Sequence, residues 1–295
     1  MIFLQHILVL AQLQTLYKKK IMKNRIIPAI WYDQNGLEAL EFYSSIFPNS
    51  DVYKSNPMVS QASIMGLDLI SINGGPMFKP NPSISFMAVF EHKEELQLTW
   101  DHMKSEAKIL MPLDKYPFSA YYGWMEDRYQ VSWQFYLGEL ADVNGQAIVP
   151  TLMFSQAQQG KCQEAINFYQ ALFKDFELQG ILKYADGECQ GQIQHAQFKL
   201  NGTTLAAMDS GVPQNFSFNE GVSLTITCKN QEEIDYYWNS ICKEGKESQC
   251  GWCQDSFGVF WQIVPEGLDI ILANHPNAGQ NLMRMKKIKI AELMH

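Results

Sequence analysis

Charge is scarce in this chain: Asp, Glu, Lys and Arg make up 18% of its 295 residues, against 46% hydrophobic ones. That balance excludes a mainly disordered protein, because apolar material on this scale builds packed cores. Positive charge is scarcer still. The formal net charge is −8, and basic residues cluster only at Lys18, Lys19, Lys20 and at Arg284, Lys286, Lys287, Lys289. A nucleic-acid footprint needs clustered Lys and Arg, so no nucleic-acid partner is expected. Long apolar runs are also missing. Ile2 to Leu16 is interrupted by Gln5, His6, Gln12 and Gln14 and is too short to span a bilayer, so no membrane partner is expected. Its lysines follow the apolar stretch and no small-residue cleavage site appears, which is not the order of a secretory signal. The expected location is cytoplasmic, with residues 1–25 an N-terminal extension and Met22 the native start.

Cysteine is absent before Cys162, and Cys162, Cys189, Cys228, Cys242, Cys250 and Cys253 all lie in the second half. Cys250-Gly-Trp-Cys253 has the spacing of a redox pair, but it falls at a strand rather than at a helix N-terminus. A structural zinc would need two further ligands, and no second CxxC or HxxxH exists. Reduced, incidental thiols are expected. No GxGxxG or GxGxG occurs either, which removes the Gly-rich turn that usual dinucleotide and methyl-donor sites require.

What the chain does contain is an internal repeat. Ile27-Pro28-Ala29-Ile30-Trp31-Tyr32 is answered by Val149-Pro150-Thr151-Leu152-Met153-Phe154, and Glu38-Ala39-Leu40-Glu41-Phe42-Tyr43 by Glu164-Ala165-Ile166-Asn167-Phe168-Tyr169. Gly123-Trp124-Met125-Glu126-Asp127 with Val131-Ser132-Trp133-Gln134 is answered by Gly251-Trp252-Cys253-Gln254-Asp255 with Val259-Phe260-Trp261-Gln262. Four blocks in one order indicate tandem domains, which the chain length also suggests. Within the first copy, an X-Pro strand near 26–32 leads to a helix near 36–47 and strands near 51–54, 59–65 and 67–73. A strand near 83–90, a helix near 93–105 and strands near 121–126 and 131–136 follow. Helices on one side of largely antiparallel strands give an α+β fold class.

The blocks "FYSSIFPNS", "SINGGPMFKPNPSISF", "NFSFNEGVSL", "QEEIDYYW" and "CGWCQDSFGVFWQIVP" resemble the 3-demethylubiquinone-9 3-methyltransferase domain, a PhnB-like branch of the vicinal oxygen chelate (glyoxalase/bleomycin resistance/dioxygenase) superfamily. The resemblance implies two tandem glyoxalase-like domains, at 26–140 and 147–268, with a linker at 141–146 and a C-terminal tail at 269–295. Each would pair βαβββ modules into a half-open barrel around one cleft. Because single-domain relatives pair as dimers, a fused chain is expected to be a monomer or a homodimer. The superfamily's four metal-ligand positions carry over to Ile27, Leu69, Ser85 and Gln134, and to Val149, Leu205, Ser223 and Gln262. Aliphatic side chains have no lone pair and an amide oxygen is a poor substitute for a carboxylate, so no metal and no cofactor are expected.

What the two copies share at these places is a serine and a glutamine, Ser85 with Gln134 and Ser223 with Gln262. These can orient a ligand but cannot take a proton near neutral pH. Strand alternation puts Gln134 and Tyr136 opposite Trp133, on the cleft side. The same reasoning assigns Trp31, Ser71, Asn73 and Met87, and Thr151, Met153, Asp209 and Thr225, to the clefts. The candidate ligand-binding set is therefore Trp31, Asn73, Ser85, Gln134, Tyr136, Thr151, Asp209, Ser223 and Gln262. His195 and Asp209 form the one conceivable acid–base pair. The favoured function is a metal-free protein that binds a small aromatic, quinone-like or phosphonate-like molecule, or an enzyme of unknown reaction. A metal-dependent lyase, isomerase or dioxygenase and a scaffold with vestigial clefts are the alternatives.

Overall fold

A computed structural model describes residues 26–295; the expected extension and the Met22 start lie outside the described residues. Four βαβββ modules follow one another. The first comprises β1 (Ile26–Tyr32), α1 (Gly36–Ile46), β2 (Asp51–Ser55), β3 (Val59–Ile64) and β4 (Leu67–Asn73). The second has β5 (Ile84–Phe90), α2 (Lys93–Met103), β6 (Lys108–Tyr116), β7 (Ser119–Glu126) and β8 (Ser132–Leu137). The third has β9 (Ile148–Phe154), α3 (Cys162–Leu172), β10 (Glu177–Lys183), β11 (Ile193–Leu200) and β12 (Thr203–Asp209). The fourth has β13 (Val222–Cys228), α4 (Gln231–Cys242), β14 (Lys246–Glu247), β15 (Trp252–Gln254) and β16 (Phe260–Pro265). Three short helices, α5 (Leu268–Asn274), α6 (Ala278–Arg284) and α7 (Ile290–Leu293), complete the chain.

The modules pair across the two copies. One eight-stranded sheet has the order β14-β15-β16-β13-β1-β4-β3-β2, joining the first module to the fourth. The other has the order β10-β11-β12-β9-β5-β8-β7-β6, joining the second to the third. The joins are antiparallel, β1 on β13 and β5 on β9. The expectation of one cleft per copy is corrected by this topology: each concave sheet takes half its strands from each copy.

Strands at the joins are buried on both faces; β1, β5 and β9 accordingly read as near-continuous apolar runs, whereas β13 alternates Ser223, Thr225 and Thr227 with apolar residues. Ile26 and Ile30 of β1, Phe86 and Ala88 of β5, and Trp133 and Phe135 of β8 belong to one apolar core that also takes the buried side of the helices. On α1, Ala39, Leu40 and Tyr43 form that side. The helix ends where Phe47, preceding Pro48, is extended at φ −89°, ψ 133°.

A repeated carboxylate ties the core together. Asp127, in the β7–β8 turn, accepts from the Tyr129 and Val131 backbone N–H groups at 2.8 and 2.9 Å, from the Tyr43 hydroxyl at 2.6 Å and from Trp133 Nε1 at 3.0 Å. Asp255 accepts from the Phe257 and Val259 N–H groups, the Tyr169 hydroxyl and Trp261 Nε1 at 2.9, 3.0, 2.9 and 2.9 Å. The repeated Asp and Trp of the sequence motif are thus one buried hydrogen-bonded unit reaching from a helix to a hairpin.

Candidate ligand-binding cleft

The concave face of the β1/β13 sheet encloses a cavity of about 650 Å³. Its walls are apolar: Ile70 and Ile72 of β4, Val59 of β3 and Val264 of β16, with Leu268, Ile270 and Leu272 of α5 above. Polar groups reach it from Gln61, Thr225, Thr227 and Gln262, and its mouth carries Lys54 ion-paired to Asp269. Gln262 Nε2 donates to Ser223 Oγ at 2.9 Å, and Ser223 Oγ lies 3.5 Å from the Ala29 carbonyl. The Gln262 carbonyl oxygen has no donor among the described residues. Thr225, 2% exposed, has a buried hydroxyl with no partner among them.

Trp31 stands on the same face, beyond this cavity. Its Nε1 donates to the Gly75 carbonyl at 2.7 Å, and its ring meets Phe78 and Trp252 edge-on at 5.1 and 6.0 Å. A Cβ on Gly74 would fall 1.9 Å from that ring, and Gly75 takes φ +86°, so both glycines of the Asn73-Gly-Gly-Pro76 run are required by local geometry rather than by a phosphate.

The opposite sheet repeats the serine–glutamine pair but closes it off. Gln134 Nε2 donates to Ser85 Oγ at 2.7 Å, and here Tyr122 donates to Gln134 Oε1 at 2.8 Å. Thr151 lies directly across from Ser85, its hydroxyl donating to the Val149 carbonyl at 3.2 Å. The segment between the copies covers this face. A 3-10 turn at Leu140–Val143 packs Val143 and Leu140 with Met87, Val89, Val149, Ala206 and Tyr136. Gln146 donates to the Thr204 carbonyl at 2.7 Å, Asn144 to Thr204 Oγ1 at 3.0 Å, and Gln197 to the Asp142 carbonyl at 2.7 Å. The residues expected to be a linker fill the second cleft.

Asn73 and Asp209 stand on the helix side of their sheets, not on the cleft side assigned from alternation. Asn73 Oδ1 accepts from the Gly36 N–H at 2.9 Å, at the start of α1. Asp209 accepts from the Cys162 N–H at 3.1 Å, at the start of α3, and from the Ile193 N–H at 2.9 Å. Both satisfy helix N-terminal donors, so an acceptor is needed there in either copy. Burial pushes the Asp209 carboxyl up against the pull of these N–H groups. Ser71 also faces the helix, since a Cβ on Gly36 would fall 2.9 Å from it. His195, whose pKa burial lowers, is on the other face of its sheet from Asp209, so the acid–base pair is not assembled.

Leu69 and Leu205, assigned to ligand positions by the resemblance, likewise point into the helix-side core, whereas Ile27 and Val149 line the concave faces. Asp68, next to Leu69, accepts from the Tyr53 hydroxyl. No group of three or more His, Cys, Asp or Glu able to hold a metal ion occurs among the described residues. The donor set at these positions does not fit a divalent cation. Cys250 and Cys253 do not face each other: the Cys250 thiol contacts the Met283 sulfur at 3.6 Å, and the buried Cys253 thiol meets Cys242. Sequence reasoning missed Lys54, Thr227 and Asp269 as cavity residues, and no motif marks them.

No helix among the described residues is long and apolar enough to cross a membrane. No curated protein matches the chain. Among solved structures, a PhnB protein from Bacillus cereus is 27% identical, matching 37% of this chain and 96% of its own, with a TM-score of 0.35. Glyoxalase I from Zea mays is 10% identical over 83% of this chain and 92% of its own, with a TM-score of 0.54, which shows the shared glyoxalase-like fold. The model of the family described as 3-demethylubiquinone-9 3-methyltransferase matches residues 24–136 and again 146–264. The chain belongs to that family, as two tandem copies.

Proposed function

We propose that the chain is a metal-free small-molecule binding protein with one working site, the cavity between α5 and the β1/β13 sheet, and that the other cleft serves only structure. One observation carries the reading: a buried Thr225 hydroxyl and a Gln262 carbonyl oxygen, both without a partner among the described residues, converge on an apolar cavity. Leaving the buried Thr225 hydroxyl unpaired costs on the order of 1–3 kcal/mol, a cost that a ligand's hydrogen bond offsets. Apolar walls with few convergent polar groups suit an aromatic or quinone-like body. In the opposite cleft the equivalent glutamine already has both its partners and the linker lies over it. The methyl-transfer label is not adopted as the function, since the chain has no Gly-rich donor turn. The metal-free reading rests on the donor chemistry at Ile27, Leu69, Ser223 and Gln262.

The test is binding of the neutral fluorophore N-phenyl-1-naphthylamine. One site is expected, lost in Ile70→Trp, which fills the cavity, and kept in Met87→Trp on the opposite face. Retention of binding in Ile70→Trp refutes the assignment, and stoichiometric nickel, zinc, manganese or iron in the purified protein refutes the metal-free part of it.

A further inference from the structure

The cavity has an electrostatic asymmetry that its apolar walls do not require. Among the described residues lining it, Lys54 is the one cation and Asp269 the one anion, and they pair with each other at the mouth. Lys54 comes from the edge strand β2 of the first module, and Asp269 from α5, which follows the fourth. The pair therefore joins the floor of the cleft to the helix that covers it. Both side chains are a little over one-third exposed, so their mutual attraction is screened and worth little as a structural tie. An acid reaching this point from inside the cavity would meet a cation already held in place, paired there with Asp269.

We infer that the ligand is an anionic amphiphile, an aromatic or otherwise apolar body ending in a carboxylate, sulfonate or phosphonate, whose charged end takes the place of Asp269 on Lys54. The apolar body lies between Ile70, Ile72 and Val264 below and the apolar side chains of α5 above. Its far end offers hydrogen-bonding groups to Thr225 and Gln262. Asp269 acts in this arrangement as an internal competitor: it satisfies Lys54 when the site is empty and sets how strong an anion must be to enter. The Lys54 ammonium at the mouth also disfavours a ligand whose outer end is cationic.

This inference rests on the cavity being the binding site, and the experiment separates the two claims. It compares 1-anilinonaphthalene-8-sulfonate with N-phenyl-1-naphthylamine, which share one aromatic frame and differ by the sulfonate. Lys54→Gln should weaken the sulfonate by about tenfold, the loss of one charge-assisted hydrogen bond, and leave the neutral probe unchanged. Asp269→Asn should tighten the sulfonate alone by about threefold, the removal of a partly exposed competing charge. Added salt should weaken the sulfonate selectively. Equal effects on the two probes, or none on the sulfonate in either variant, overturn the inference while leaving the binding site intact. Neutral-probe binding that survives Ile70→Trp instead overturns the site itself.

Discussion

The buried carboxyls Asp127 and Asp255 should give the protein an unusual response to pH. Burial raises both to about 6, above the ordinary value of 3.8, even though four hydrogen-bond donors pull each of them down. Between those values the folded chain holds a proton that the unfolded chain has released. The resulting stability is fully present below about pH 4 and is lost as pH rises through 6. A shift of about two pKa units corresponds to about 3 kcal/mol for each carboxyl. The perturbation is Asp127→Asn or Asp255→Asn, which keeps an oxygen for the two backbone N–H groups and removes the titration. Urea unfolding followed by tryptophan fluorescence between pH 4.5 and 7 should show each variant losing less stability across the window than the parent chain. Carboxylates held low at the surface, such as Asp101 beside Lys104 and Asp235 beside Lys287, slope the other way and are common to all three proteins. Identical slopes in parent and variants would refute the reasoning, because the charged forms would then be fully compensated by their donors.

Two further outcomes follow from the packing. Gln134→Leu should destabilise by about 1–2 kcal/mol more than Gln262→Leu, since it strands both Ser85 and Tyr122 where the other strands Ser223 alone; denaturant titration of the two variants checks the order. Ile288→Ala in the C-terminal segment should cost about 2–5 kcal/mol, because Ile288 is fully buried in the main core, and an unchanged melting temperature would show that the segment contributes nothing.

The repeat, the α+β class and the inward position of Gln134 and Gln262 were legible in the sequence because each rests on a local pattern. The face taken by Asn73 and Asp209 was not. In β4, Leu67 and Leu69 enter the helix-side core while Ile70 and Ile72 line the cleft, so a strand apolar on both faces does not announce which face meets the helix. β6 escaped notice for another reason: Pro112, Asp114 and three register shifts break its alternation, as suits an exposed sheet edge. The pairing of first module with fourth lies outside local pattern altogether, as does the Lys54–Asp269 contact between residues 215 positions apart. The Cys250 and Cys253 spacing, set aside as a redox pair in the sequence, holds the two thiols apart, because Cys250 stands at φ +59° in the turn before β15 with its sulfur on Met283, while Cys253 lies within the strand and is buried.

Exchange of modules between the copies bears on how the two clefts could come to differ. In a twofold assembly of identical chains, any substitution strikes both clefts at once, so one cannot be surrendered while the other is kept. Here each cleft draws on two modules that the other does not use, and the two covering segments, 140–146 and α5, occupy unlike places in the chain. A substitution in the first or fourth module reshapes the open cleft alone. The joined chain is thereby free to carry one face as permanent filling and to vary the other without cost to it.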